Sequence, residues 1–88
     1  MPVTGGNVYL TYNSSTGYNC VVTVRNSSGS AVYMDTGVKK SGSSTWSYDA
    51  GQYKTYAGPI YVYGAGSCVD WYGTIGSSRQ VKYDDACG

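Results

Sequence analysis

The chain has 88 residues, a net charge of +1 and only 12% charged residues, which excludes the concentrated basic surface of a nucleic-acid-binding protein. No apolar run approaches the ~20 residues of a membrane-spanning helix. Phenylalanine is absent and leucine occurs once, whereas tyrosine occurs 11 times and tryptophan twice. We therefore expect aromatic rings to supply part of a core that aliphatic residues are too few to fill.

The N-terminus is predicted to lie outside the fold. Met1-Pro2-Val3-Thr4 is interpreted as the start of an expressed segment from which a leader was removed. Residues 1–6 are accordingly predicted to be disordered, and residues 7–88 to form a single β domain, because no linker divides them.

From residue 7 onward, short runs rich in Val, Tyr and Thr alternate with turns rich in Gly, Ser and Asn, the pattern of strands in an antiparallel sheet. Asp49-Ala50-Gly51 is predicted to be one of these turns, and Lys39–Lys40 to lie in a solvated loop. The pattern predicts an all-β fold without a helix of consequence, a small antiparallel β-sandwich or barrel. Its eight short strands are predicted at Asn7–Asn13, Tyr18–Asn26, Ala31–Thr36, Thr45–Asp49, Gln52–Tyr56, Pro59–Tyr63, Cys68–Tyr72 and Arg79–Asp84.

Strand alternation divides the aromatic side chains into two sets. One set shares faces with aliphatic residues and is predicted to pack in the core: Tyr12, Trp46, Tyr48, Trp71 and Tyr83. The other set falls on the opposite faces, where rings with polar hydroxyls suit the binding of proteins or sugars. This candidate interaction face consists of Tyr9, Tyr33, Tyr61, Tyr63 and Tyr72.

The segment Ile60–Tyr63 has high β-propensity and no charge. At the edge of a sheet it would be a template for pairing with another chain, whereas in the middle it would be the strongest strand of the sheet. The central position is the default expectation.

Catalysis is not expected, because the chain has no histidine and no glutamate and therefore lacks the usual general bases at neutral pH. Its cysteines show no metal-ligand spacing, so neither a metal nor a cofactor is predicted. Three cysteines allow at most one disulfide within the chain, and the use of disulfides favours a secreted protein. An unpaired Cys20 is expected to be a buried thiol.

Several short motifs, taken in order, resemble the streptomycete spore-associated protein A family of small secreted proteins. They are NVYLTYN at 7–13, NCVVTVR at 19–25, YAGPIYV at 56–62, CVDWYGTI at 68–75 and the final ACG at 86–88. The resemblance covers about residues 7–88 and implies association with the spore or cell surface. It brings no established catalytic or ligand-binding residues.

The resemblance also bears on the cysteines. Members of the family often carry six, with one upstream of the first strand and two near Gly37 and Tyr48, where a local bridge would join neighbouring strands. Loss of that pair and of the upstream cysteine implies a Cys68–Cys87 disulfide and a free thiol at Cys20. From the residues alone, Cys20–Cys87 and Cys20–Cys68 remain open.

These observations predict a secreted, non-catalytic protein of the spore or cell surface that uses its tyrosine-rich face to bind other proteins or copies of itself. A cell-wall polysaccharide is a further partner to consider, whereas nucleic acid and a membrane span are not expected. Two alternatives stay open. One is a small inhibitor of a secreted hydrolase, acting through a loop at 35–45 or 64–67, and the other is a carbohydrate-binding module.

Overall fold

The computed structural model describes residues 1–87, and in this range it contains strands and turns but no helix. The prediction of an all-β fold is therefore confirmed. Residues 1–87 accordingly offer no helix with the length and hydropathy that a membrane crossing requires. The strands are β1 (Pro2–Val3), β2 (Gly6–Asn13), β3 (Tyr18–Arg25), β4 (Val32–Lys40), β5 (Ser47–Tyr53), β6 (Tyr56–Tyr63), β7 (Val69–Ile75) and β8 (Ser78–Asp85).

The strands form two four-stranded antiparallel sheets. Sheet A has the order β1-β2-β3-β6, and sheet B has the order β5-β4-β7-β8. The sheets pack on each other through β2, β3 and β6 on one side and β4 and β7 on the other, which makes the fold a sandwich.

The core lies between the sheets and is built mainly from valine. Val8 and Val21 of sheet A meet Val38, Val69 and Trp71 of sheet B, and all five are buried. Gly73 is required here by space, because a Cβ at this position would lie 2.2 Å from a methyl carbon of Val8. The two sheets therefore lie close together where Gly73 of β7 faces Val8 of β2.

The N-terminus differs from the prediction. Pro2–Val3 pairs with Gly6–Asn7 to form β1, and Val3 is buried in the core. The Met1 ammonium donates to the carbonyl of Val8 over 2.9 Å. Residues 1–6 thus fold with the domain, because one buried valine and the pairing with β2 hold them in place.

Two further predictions about strand boundaries are wrong. Asp49-Ala50-Gly51 is not a turn but the middle of β5, where these residues pair with Thr36, Asp35 and Met34 of β4. Lys39–Lys40 is not a loop but the end of β4, because both residues pair with β7, opposite Asp70 and Val69. The Lys39 ammonium also forms an ion pair with Asp70 over 3.2 Å. Pairing across the sheet outweighs the local turn and charge signals at both places.

Candidate functional site

The outer face of sheet A displays three of the five tyrosines of the candidate interaction face. Tyr9, Tyr61 and Tyr63 are each at least half exposed, and Tyr18 joins them because it pairs with Tyr63 across the strands. The rings of Tyr18 and Tyr63 meet edge to face, with 5.6 Å between their centroids. Cross-strand pairing thus gathers residues distant in sequence into one aromatic surface.

Strand β6 is an edge of sheet A, so the expectation that Ile60–Tyr63 is central is wrong. The Gly64 amide donates to the Gly17 carbonyl one step beyond the Tyr18–Tyr63 pair. In an antiparallel ladder, hydrogen-bonded and non-hydrogen-bonded pairs alternate. The backbone groups of Val62 therefore bond to β3, whereas those of Tyr61 and Tyr63 point to the free side of β6.

Cys20 lies on the same outer face, between Thr11 of β2 and Tyr61 of β6. It has no disulfide partner among residues 1–87 and is half-buried rather than buried, in contrast to the expectation of a buried thiol. It lines a depression of about 350 Å³ together with uncharged neighbours only, which are Thr11, Tyr12, Asn13, Thr16, Tyr18 and Tyr61.

The other two predicted face residues, Tyr33 and Tyr72, belong to sheet B, so the five tyrosines do not form one surface. Tyr33 is exposed, but only 8% of Tyr72 is accessible to solvent. Alternation places Tyr72 on the correct side of β7. Its predicted exposure is wrong because the ring lies over Gly37 of the neighbouring strand, where a Cβ would come within 2.1 Å of the ring.

Tyr72 belongs to a polar cluster around Asp35, which is only 6% exposed. The Tyr72 hydroxyl donates to Asp35 Oδ1 over 3.0 Å, and the Tyr33 hydroxyl donates to Oδ2 over 3.4 Å. Arg79 donates to Oδ2 from Nη2 over 3.2 Å and to Thr74 Oγ1 from Nε over 2.8 Å. Burial, followed by the hydrogen bond to Asp35, raises the pKa of Tyr72 above its ordinary value.

This cluster was missed at the level of sequence because its members come from different strands. Asp35 and Arg79 are separated by 44 positions, and no local spacing relates them. The available signal was a single carboxylate in an otherwise uncharged part of β4, residues 32–38, since a buried carboxylate usually requires a charged partner.

The predicted aromatic core is only partly correct. Trp71 is buried as expected, and its indole N–H donates to Asp85 over 3.0 Å. Trp46 precedes β5 and is half-buried, while Tyr12 is exposed at the end of β2. Tyr48 and Tyr83 are 65% and 63% exposed, because both lie on the outer face of sheet B rather than toward sheet A.

Asp70 and Asp49 of sheet B are engaged in contacts that connect strands. Burial alone would raise the pKa of Asp70, but hydrogen bonds from the Asp84 amide, the Ser41 hydroxyl and Lys39 lower it below its ordinary value. Asp49 accepts from the Tyr53 hydroxyl and from the Gly58 amide. The hydrogen bond from Tyr53 to Asp49 raises the pKa of Tyr53.

A disulfide joins Cys68, just before β7, to Cys87, just after β8. It is the pairing that the resemblance implied. The structure also places Gly37 directly opposite Tyr48, as that resemblance required for neighbouring strands. Within residues 1–87, no three His, Cys, Asp or Glu side chains are grouped as a metal site would need.

The two loops considered as the contact site of an inhibitor are both short in the structure. Most of the segment 35–45 is strand β4, so only residues 41–46 connect β4 to β5. The segment 64–67 is a turn closed by a hydrogen bond from the Ser67 amide to the Gly64 carbonyl. Neither is a long projecting loop.

These features define a small, disulfide-linked, tyrosine-rich β-sandwich with aromatic side chains on both outer faces. Over its whole length the chain is 48% identical to spore-associated protein A of Streptomyces coelicolor, across 89 aligned residues. This similarity confirms the resemblance to that family. The chain spans 58% of the length of that relative.

No protein-family model matches the chain, and no solved structure matches it.

Proposed function

We propose that this chain is a secreted, non-catalytic protein of the spore or cell surface, and that it associates with copies of itself through the outer face of sheet A and the edge of β6. The single observation that carries the proposal is the unpaired edge of β6, whose outer face bears Tyr61 and Tyr63 and no charge. An uncharged edge strand of high β-propensity is a template for pairing with another strand.

Charge supports a second copy as the partner. The strands of sheet A contain one charged residue, Arg25. Beside this face lies the Lys40 ammonium of β4, 5.6 Å from the centre of the Tyr63 ring. Two copies that meet through this sheet therefore face little like-charge repulsion, and neither needs a partner of opposite charge. The tyrosine rings offer apolar area that loses little entropy on association, because each has two side-chain torsions.

A non-catalytic role is supported by the use of the carboxylates. The sequence has no histidine and no glutamate, so the five aspartates are its only carboxylate side chains. Asp35, Asp49, Asp70 and Asp85 each accept hydrogen bonds that join strands or orient aromatic side chains. Groups engaged in this way are poorly placed to exchange protons with a substrate.

The location rests on two observations. The relative in Streptomyces coelicolor is named as spore-associated, and the Cys68–Cys87 disulfide is typical of proteins in oxidising compartments. Together they support secretion and attachment to the spore or cell surface.

The test is sedimentation velocity over a concentration series. We expect the parent protein to associate as its concentration rises, and the double variant Tyr61→Ala with Tyr63→Ala to remain monomeric because it lacks both rings beside the edge. The matched control is Tyr48→Ala with Tyr83→Ala, which removes two rings from sheet B that are at least as exposed. A parent that stays monomeric at its solubility limit, or equal association of both double variants, would refute the proposal.

A further inference from the structure

The outer face of sheet B contains a cleft of about 500 Å³ that self-association through sheet A does not use. Its volume lies within the range of ~300–1,000 Å³ typical of sites for small ligands. The lining combines four aromatic rings with one acid, one base and one valine: Trp46, Tyr48, Tyr72, Tyr83, Asp35, Arg79 and Val81.

The register of sheet B aligns several of these residues across the strands. Tyr48 lies opposite Gly37, Gly37 lies opposite Tyr72, and Tyr72 lies opposite Val81. Four adjacent strands span ~14 Å, since neighbouring strands are ~4.8 Å apart. Gly37 in this row leaves room for the Tyr72 ring, because a Cβ at this position would lie 2.1 Å from Tyr72 Cε2.

The Tyr72 ring is fixed before any ligand arrives. The Trp46 ring meets it edge to face, with 5.0 Å between the centroids and an interplanar angle of 78°. The Arg79 guanidinium carbon lies 4.4 Å from the centre of the same ring, and the Tyr72 hydroxyl is bonded to Asp35. A site whose side chains are already ordered loses less entropy on binding.

The charges of the cleft balance each other. Among residues 1–87, Asp35 and Arg79 are the charged residues that line the cleft, and they form an ion pair over 3.2 Å. The Lys39 ammonium, 5.2 Å from the centre of the Trp46 ring, is paired with Asp70. The Asp35 side chain is buried behind its pair with Arg79, whereas 52% of the Arg79 side chain remains exposed. A guanidinium has five N–H donors. Within residues 1–87 only its Nε and Nη2 are bonded to side chains of the protein, so Nη1 is available to a ligand oxygen.

We propose that this cleft binds an uncharged pyranose unit of a polysaccharide. The C–H groups of a pyranose form an apolar face with positive polarity, which complements the negative face of an aromatic ring. Its hydroxyls accept from the Arg79 guanidinium and donate to tyrosine oxygens. Because the cleft has no net charge, a neutral sugar suits it better than an anionic or cationic one.

The test is a titration of the folded protein with soluble neutral oligosaccharides of glucose, N-acetylglucosamine, mannose and galactose. Binding is measured by calorimetry and by tryptophan fluorescence. Trp46 lies in the cleft and Trp71 in the core, so ligand should change the emission of Trp46. We expect saturable binding of at least one oligosaccharide. Tyr48→Ala with Tyr83→Ala should weaken it about ten-fold, from the stacking energy of two rings.

The matched control is Tyr9→Ala with Tyr63→Ala, which removes two exposed rings from sheet A and should leave the affinity unchanged. Arg79→Lys keeps the charge but loses the planar donor set, so it should weaken binding without unfolding the protein. Absence of binding to every neutral sugar, preference for oligogalacturonate, or an unchanged affinity in the Tyr48/Tyr83 variant would overturn the proposal. These results are separate from self-association, which is measured without sugar.

Discussion

The two sheets of the sandwich differ most in their charge. Sheet A carries one charged side chain, Arg25, at the end of β3. Sheet B carries every other charged residue except Lys54, and these are Asp35, Lys39, Lys40, Asp49, Asp70, Arg79, Lys82, Asp84 and Asp85. Sheet A is therefore suited to contact with a second copy of the same sheet, whereas sheet B is stabilised by ion pairs between its own strands.

The difference teaches that an outer face is not uniformly exposed. On sheet A, the outward tyrosines are in solvent. On sheet B, Asp35, Asp70 and Tyr72 also point away from the other sheet, yet each is buried by neighbours on its own sheet. The ion pairs of Asp35 and Asp70, together with the space above Gly37, allow these side chains to lie flat across neighbouring strands. They form a second, polar layer of packing on the outer face of sheet B.

The largest expected effect comes from removing the centre of that layer. Asp35→Ala leaves Arg79 without its anion and the Tyr72 hydroxyl without its acceptor. Breaking a buried pair costs ~3–5 kcal/mol, but Arg79 is half exposed, so we expect a loss of about 2 kcal/mol in the free energy of unfolding. Thr11→Ala, on the outer face of sheet A, should change it by less than ~0.5 kcal/mol in the same chemical denaturation experiment. Equal effects would show that the sheets do not differ in this way.

Gly37→Ala sharpens the comparison by testing the space beneath Tyr72. The added Cβ would meet Tyr72 Cε2 at 2.1 Å, so the ring must move and its contacts with Trp46 and Arg79 must change. Overpacking of this kind costs ~1–3 kcal/mol. The control is Gly29→Ala, because the nearest atom to a Cβ at Gly29 is a guanidinium nitrogen of Arg25 at 3.6 Å, an ordinary contact distance. Thermal unfolding of the two variants should separate them, and a Gly37 variant as stable as the control would contradict the account of the cleft.

A smaller effect is expected from pH. A carboxyl with a pKa lower in the folded than in the unfolded chain stabilises the fold above the unfolded value of ~3.9, and the contribution is lost as the pH falls through the folded value. Asp70 is such a group. Asp70→Asn should therefore be less stable than the parent at neutral pH and lose less stability between neutral and acidic pH. If the free energy of unfolding falls with pH in parallel for the parent and Asp70→Asn, Asp70 does not contribute to the pH dependence of stability.

Alternation predicted the outward tyrosines of sheet A better than the aromatic residues of sheet B. Along β2 and β6 it correctly placed Tyr9, Tyr61 and Tyr63 outside, because these strands have an apolar inner face. The sequence also predicted Tyr12 and Cys20 to be buried, but Tyr12 is exposed and Cys20 is half-buried. On sheet B the same reasoning placed Tyr48 and Tyr83 inside and expected Tyr72 to be exposed, and each of these predictions was wrong.

The error at Tyr72 has a physical cause that lies outside its own strand. The position of Tyr72 depends on Gly37 in another strand, and the burial of Asp35 depends on Arg79 in a third. Such contacts follow from the order and register of the strands, which alternation within one strand does not contain. The edge position of β6 was unpredictable for the same reason, since it depends on β6 pairing with β3 rather than with β5 or β7.

The most direct test of the central claim is amide hydrogen exchange at β6, measured by NMR over a concentration series. The N–H groups of Tyr61 and Tyr63 point to the free side of the strand, whereas that of Val62 bonds to β3. If sheet A pairs with a second copy, Tyr61 and Tyr63 exchange faster than Val62 in dilute protein and become protected as the concentration rises. Exchange at Tyr61 and Tyr63 that does not slow with concentration would contradict pairing through this edge.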